Sequence, residues 1–301
     1  MHQGLSIVIA TRNRPQLLER ALGEAARFAR ATDEIIVVDS ASAPGIVERI
    51  VESHPGVRLA RLEVPGTSRA RNAGLELATR DLVAFIDDDC LIQSGWPDAV
   101  EGSLSDDGVG FATGRVVGDR DTSLGISLLL GEERLRFDAP EDPGMYGHGS
   151  NMAFSRRALE TVGGFDEALG PGTPLRAAED QDVFWRISRA GWAGVFEPTM
   201  TVTHLQWRSR GTAILRHYSY GIGAGAVAVK LIRSRDPLRW RVLRRLVWRD
   251  GILRALRAAI KRHKSPAAAE AVKLAGLVVG FVRAWLSPFH SDRFDVRRSR
   301  S

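Results

Sequence analysis

The sequence predicts an α/β fold: a Rossmann-like, mostly parallel sheet with helices on both faces, followed by a basic helical extension. Short runs rich in Ile and Val alternate with segments whose apolar residues recur at helical spacing, the pattern of a parallel sheet covered by helices. Charge is also divided along the chain. Residues 230–301 hold nineteen Lys and Arg against five Asp and Glu, a net of +14, while residues 1–229 carry −8.

The elements follow in order. "LSIVIAT" (Leu5 to Thr11) and "EIIVVDS" (Glu34 to Ser40) read as buried strands. Between them Leu17, Leu18, Ala21, Leu22, Ala25 and Phe28 share a helical face behind Pro15, a proline suited to a first turn. "APGIVERIVESHP" reads as a helix, "VRLARLEV" as a strand, "TSRARNAGLELAT" as a helix and "DLVAFID" as a further buried strand. From Gly95 to Gly149 the pattern is irregular, with "GVGFATGRVVG" as a strand pair. "NMAFSRRALETVGGFDEAL" gives a strand, a short helix and a turn; "AAEDQDVFWRISRAGW" is a helix with Val183, Phe184 and Ile187 on one side; "GVFEPTMTVTHL" is the last strand. The boundary between an α/β domain (1–210) and the extension (211–301) is placed where the composition changes.

In the extension, apolar residues from Leu238 to Ile260 interleave with arginines and with Trp240 and Trp248, as in a basic amphipathic helix pair at a membrane surface. Only Leu274 to Val282 run uncharged between Lys273 and Arg283, too short for a membrane span. Such a tail predicts contact with an anionic surface, and lipid headgroups fit better than nucleic acid. The start, "MHQGLSIVIATRNRP", lacks a basic segment followed by a long apolar run, so the expected location is cytoplasmic, at the inner face of the cell membrane. One cysteine, Cys90, excludes an internal disulfide framework and any multi-cysteine metal centre, and reads as a small buried thiol.

The chemistry concentrates in "LVAFIDDDCLI", where Asp87, Asp88 and Asp89 follow a strand. Three adjacent carboxylates repel one another, and a divalent cation relieves this. On an extended chain Asp87 and Asp89 share one face and Asp88 takes the other. A hard ion such as Mg²⁺ or Mn²⁺, commonly completed by phosphate oxygens, suits such ligands. Asp39 ends a neighbouring strand, where a carboxylate can accept hydrogen bonds from a base or ribose. Arg69 and Arg71 supply guanidinium groups matched to diphosphate oxygens. In parallel sheets ligands sit beyond the carboxyl ends of the strands, where Thr11, Asp39 and the aspartate triplet fall. Together these describe a nucleoside diphosphate site that settles only when cation and diphosphate are bound.

Six segments, "SIVIATRNRP", "IIVVDSAS", "GTSRARNAGLELATRDLVAFIDDDC", "GSNMAFSRRALETVGGFDEAL", "AAEDQDVFWRISRAGW" and "TVTH", resemble in order and spacing the inverting family 2 glycosyltransferases of GT-A fold, over about residues 5–205. The resemblance implies that Thr11, Arg12 and Asp39 hold the base and ribose of a nucleotide-diphosphate sugar linked to UDP, GDP or dTDP, and that Arg71 lies against the nucleotide or its phosphates. It implies that Asp87 contacts ribose and metal-bound water, that Asp89 is the direct ligand of Mg²⁺ or Mn²⁺, and that His204 completes the metal shell. Asp180 matches the catalytic base, with Glu179 beside it. Glu179, Asn151 and Trp185 are expected around the acceptor, a glycan or lipid-linked glycan, although Trp185 and Trp192 are equally readable as core aromatics.

Processive members of the family carry a glutamine-arginine-tryptophan motif and clear membrane helices. Here "HLQWRSRG" has Gln206, Trp207 and Arg208 in another order, which favours transfer of a single sugar. Two competing readings are a sugar-1-phosphate nucleotidyltransferase, whose glycine-rich phosphate loop is replaced here by "ATRNRP", and a non-catalytic nucleic-acid binder, which leaves the acidic site without a purpose.

Overall fold

A computed structural model describes residues 4–120, 127–254 and 264–295. They form two compact units. The first comprises the described residues up to Arg120, Ser127–Phe165 and Val183–Leu205; the second comprises Asp166–Asp182 and the described residues from Gln206 onward. The last change of unit along the chain lies between Leu205 and Gln206, and the 166–182 segment groups with the C-terminal region.

The first unit is built on a nine-stranded sheet of order β3-β2-β1-β4-β8-β6-β9-β5, with β7 alongside β9. Strands β1 (Leu5–Thr11), β2 (Glu34–Ser40), β3 (Arg58–Leu62) and β4 (Leu82–Asp87) are parallel neighbours. Beyond them the sheet is mixed. β8 (Asn151–Ser155) runs antiparallel to β4 and to β6 (Val109–Gly118), β6 is parallel to β9 (Ala193–His204), and both β5 (Cys90–Ile92) and β7 (Leu135–Phe137) run antiparallel to β9. The stretch expected as a strand pair at 108–118 is thus one strand. It carries register shifts at Val109/Phe111 and Gly114/Val116, where glycines loosen the ladder.

Alternation along each strand feeds two cores. On one face Leu5, Ile7 and Ile9 pack with Leu18, Leu22 and Ala25 of α1 (Pro15–Phe28), Val47 and Val51 of α2 (Ile46–Glu52), and Trp96 and Val100 of α4 (Trp96–Ser103). On the other, Val8, Ile36, Val38 and Phe85 meet Ala70 of α3 (Thr67–Leu77), Ala158 and Leu159 of α5 (Arg156–Thr161), and Val183, Phe184 and Ile187 of α6 (Glu179–Arg189). This is the expected sheet with helices on both faces. Gly74 lets α3 lie close to the sheet, since a Cβ there would come 2.3 Å from Val8 Cγ1.

In the second unit, α7 (Arg210–Arg233) opens at Ser209, whose Oγ accepts from the Thr212 N–H. It is followed by α8 (Arg239–Arg244), a π-helical stretch (Arg245–Leu253), α9 (Lys264–Leu286) and a short hairpin of β10 (Phe289–His290) and β11 (Arg293–Phe294). The rest of the expected basic helix pair, 255–263, lies outside the described residues. Glycines allow α7 and α9 to meet backbone to backbone. A Cβ at Gly221 would stand 2.0 Å from the Lys273 carbonyl oxygen, and one at Gly280 would stand 2.1 Å from that of Ile222. Gly280→Leu should therefore lower the thermal unfolding midpoint by several degrees, for an overpacking cost of about 1–3 kcal/mol. Differential scanning calorimetry checks this, and an unchanged midpoint would show that the helices separate freely.

Inside this unit the Lys230 ammonium is buried and donates to Asp166 Oδ2 at 2.5 Å and Asp182 Oδ1 at 2.6 Å. Burial alone would raise the pKa of Asp166, but the Lys230 charge and the hydrogen bonds from Lys230, the Phe294 N–H and the Ala168 N–H hold it below its ordinary 3.8. A depressed carboxylate stabilises the fold above its unfolded pKa, and that stability is lost as pH falls through the lower folded value. Asp166→Asn should melt below wild type at pH 7, with the difference shrinking as pH drops below about 4. A difference independent of pH would contradict the pairing.

Candidate active site

Sheet register gathers most of the predicted donor-side residues along one edge. Thr11, last in β1, lies opposite Asp39 of β2, and Ala10 lies opposite Asp87, last in β4. The carboxyl ends of three parallel strands thus present Thr11, Asp39 and Asp87 side by side, with Arg12 exposed immediately beyond β1.

The extended alternation expected through the aspartate triplet stops at Asp87. Asp88 and Asp89 form a turn from which the chain re-enters the sheet as β5. Each aspartate consequently has its own surroundings. Asp87 is the most open, with 37% of its side chain exposed, and its Oδ1 accepts from Arg71 Nη2 at 3.0 Å. The buried Arg71 guanidinium also donates to the Gly149 carbonyl and sits 5.5 Å from the Phe165 ring centre.

Asp88 is buried. Its Oδ2 accepts from Thr11 Oγ1 and its Oδ1 from Arg14 Nη1, both at 2.8 Å. Burial, together with the neighbouring Asp89, pushes its carboxyl up to about 6 against the opposing pull of Arg14 and Thr11. Repulsion within the triplet is therefore answered partly by the protein's own cations, Arg14 and Arg71. The expectation that a bound cation and diphosphate alone relieve it is corrected accordingly.

Asp89 is turned toward β9. Its backbone carbonyl accepts from the Leu205 N–H, and its Oδ1 is 3.5 Å from His204 Nε2, with both side chains buried. The register Cys90 to His204 between β5 and β9 fixes this meeting. Ligand atoms of Asp89, Cys90 and His204 all lie within 4.8 Å of one another, and this is the metal-capable cluster found among the described residues. A carboxylate oxygen and an imidazole nitrogen this close can reach a common divalent ion, so the donor set fits Mn²⁺ or Mg²⁺. The Cys90 thiol is less suited. Burial first, and then the three adjacent aspartates, push its pKa well above the ordinary value and keep it protonated. Asp87 lies outside this cluster and pairs with Arg71.

Asp39 is buried. Its Oδ1 accepts from the Ser42 N–H at 2.9 Å and its Oδ2 from Arg61 Nη1 at 2.8 Å, while Arg61 also binds Glu48 and the Ser42 carbonyl. Arg69 donates to the Pro65 carbonyl. Sequence reasoning passed over Arg14 and Arg61. Both stand in arginine-bearing segments at strand ends, a signal too general to separate them from solvated charges.

Two expected acceptor-side residues are buried. Asn151 is fully buried, its Oδ1 accepting from Trp96 Nε1 and its Nδ2 donating to the Arg115 and Met200 carbonyls, so it ties α4 to β6 and β9. Trp185 is 1% exposed and packs in the interior with Arg189 5.0 Å from its ring. Glu179 and Asp180 belong to the second unit. They open α6, where acidic side chains complement the helix dipole. Asp180 is half-buried and its Oδ1 accepts from the Gln181 N–H, whereas Glu179 is buried.

Residues 6–163, spanning the parallel strands, the aspartate turn and β8, match the family model described as glycosyl transferase family 2. The chain belongs to that family. Its fold is the GT-A fold: the structure is similar to the mannosyltransferase PcManGT from Pyrobaculum calidifontis in complex with GDP-Man and Mn²⁺, with a TM-score of 0.64 at 20% identity over 94% of this chain and 87% of that one. S. aureus TarS aligns with a TM-score of 0.56 at 16% identity, over 73% of this chain and 39% of that one. In sequence, this family 2 chain is 29% identical over 246 residues to the pre-mycofactocin glycosyltransferase of Mycobacterium tuberculosis, covering 79% of itself but 50% of that relative. It thus spans about half the length of that protein. It is 24% identical to the N-acetylglucosaminyl-diphospho-decaprenol L-rhamnosyltransferase of the same species, over 86% of this chain and 95% of that one.

Proposed function

We propose that this chain transfers a single sugar from a nucleotide-diphosphate donor to a hydroxyl of a glycan or lipid-linked acceptor, with inversion at the anomeric carbon and with Mn²⁺ or Mg²⁺ as cofactor. The observation that carries the reading is the strand-edge constellation in a family 2 chain: Asp89 beside His204, Asp87 against Arg71, and Asp39 at the neighbouring strand end.

In this reading Thr11, Arg12 and Asp39 face the nucleoside. Arg71 holds the ribose-contacting Asp87 in place and lends positive charge to the diphosphate side. Asp89 and His204 would hold the metal, which when bound neutralises the charge developing on the leaving diphosphate. Asp180 accepts the proton of the acceptor hydroxyl as that oxygen bonds to the anomeric carbon and the bond to the diphosphate oxygen breaks. One displacement from the opposite face inverts the configuration, and no sugar is held covalently.

The acceptor side is proposed to meet an anionic membrane surface. No helix among the described residues is long and apolar enough to cross a membrane. Exposed Trp240, Trp248 and Trp285 accompany the basic composition of the same region, a pairing suited to headgroups. Co-sedimentation with vesicles containing phosphatidylglycerol, weakening as salt rises, is the expected result. Equal retention on neutral phosphatidylcholine vesicles, or none on either, would count against it.

The reading is tested by incubating the protein with Mn²⁺ and a panel comprising GDP-mannose, UDP-glucose, UDP-N-acetylglucosamine and dTDP-rhamnose, and following release of the nucleoside diphosphate. Turnover of one donor that ceases with chelator supports it. Pyrophosphate release from a nucleoside triphosphate and sugar-1-phosphate would replace it with the nucleotidyltransferase reading.

A further inference from the structure

We infer that Lys230, on α7 of the C-terminal region, is a positioning residue for the base-bearing turn of α6, an inference that rests on the reading of Asp180 as general base. Lys230 is 1% exposed, and its ammonium joins Asp166, at the start of the 166–182 segment, to Asp182, at its end. Asp182 follows Asp180 within the first turn of α6. An ammonium has three donors and no acceptor, so two carboxylates at hydrogen-bond distance fix both the charge and the direction of the group. Without it, two buried carboxylates would lose the cation they share.

Further contacts brace the same segment. Two helical turns before Lys230, Gly223 brings the α7 backbone against Ala177, where an added Cβ would stand 2.7 Å from the Ala177 carbonyl carbon. Leu169 and Leu175 pack with Ala226, Val229, Ala284 and Phe294, and Arg283 Nη1 donates to the Pro174 carbonyl. The Phe294 N–H donates to Asp166 Oδ2, so one carboxylate oxygen serves both the hairpin and Lys230. The chain entering α6 is held in a costly conformation, with Arg176 at φ 58 and Ala178 at φ 70, which persists only when its surroundings enforce it. The basic extension is therefore more than an adaptor for surfaces: it carries the support for the turn that presents Glu179 and Asp180.

The test compares wild type, Lys230→Met, Asp180→Asn and the double variant, using whichever donor of the nucleotide-sugar panel wild type turns over, together with amide hydrogen exchange across 178–184. Lys230→Met should lower kcat about 10- to 100-fold, as expected for a misplaced group, with donor KM little changed. It should speed exchange in the first turn of α6, and add no further loss of kcat in the Asp180→Asn background. If Lys230→Met lacks a cooperative thermal transition, the neutralised set Lys230→Met/Asp166→Asn/Asp182→Asn takes its place in the same comparison. Wild-type kcat with unchanged exchange, or an equal fold-loss in both backgrounds, would overturn the inference. So would loss of cooperative unfolding in both variants, since the triad would then serve folding alone. Full activity in Asp180→Asn overturns the base reading instead, and the exchange data still decide whether Lys230 holds the turn.

Discussion

Asp89→Ala is expected to lower Mn²⁺-supported donor turnover by roughly 10³-fold, the scale of several kcal/mol of lost charge stabilisation on a leaving diphosphate. Asp89 and His204 approach to 3.5 Å with both side chains buried, so removing the carboxylate leaves one strong ligand atom where a divalent ion needs more. The fold should survive, because Arg14 keeps its 2.8 Å partner in Asp88 and the Asp89 backbone carbonyl still pairs with the Leu205 N–H. Titration of Mn²⁺ by electron paramagnetic resonance should show the bound fraction vanish in step with activity. Turnover within a few-fold of wild type would remove Asp89 from the metal site.

The second large effect is expected from Asp180→Asn, with kcat falling about 10²- to 10⁴-fold and donor KM nearly constant, the signature of a group needed for proton transfer rather than for donor binding. The amide keeps the shape and can still accept from the Gln181 N–H, but it cannot take a proton. Asp182→Asn gives a useful contrast, because Asp182 is buried against Lys230. Its loss should appear as a lower melting temperature as well as reduced activity. A rise in donor KM with kcat unchanged in Asp180→Asn would place that residue on the donor side instead.

Much of the first unit was legible because its strands carry long Ile and Val runs and its helices carry regular apolar faces. β1 to β4, α1 and α6 fall where those patterns put them. The long helix α7 was invisible to the same reasoning. Gly221, Gly223 and Gly225 lower helix propensity, and what holds them is close approach to other backbone, which a single sequence does not display. The strand-edge positions of Thr11, Asp39 and Asp87 followed from strand order, but the partition of the aspartate triplet did not. A turn at Asp88 breaks period-two alternation, and Asp88 meets Arg14 and Thr11 from distant parts of the chain. Asn151 was expected near the acceptor and Trp185 either there or in the core; burial and hydrogen bonding, both products of tertiary packing, put both side chains in the interior. The pairing of Lys230 with Asp182 joins positions far apart in sequence and shows no local pattern at all.

The central claim is a single inverting displacement from a nucleotide sugar, and the most direct measurement is proton NMR of the anomeric signal as the enzyme, with Mn²⁺, consumes an α-linked donor such as GDP-mannose or UDP-glucose. The β-anomer of the released or transferred sugar should appear first, ahead of mutarotation. First appearance of the α-anomer, through a retained configuration, would contradict the account.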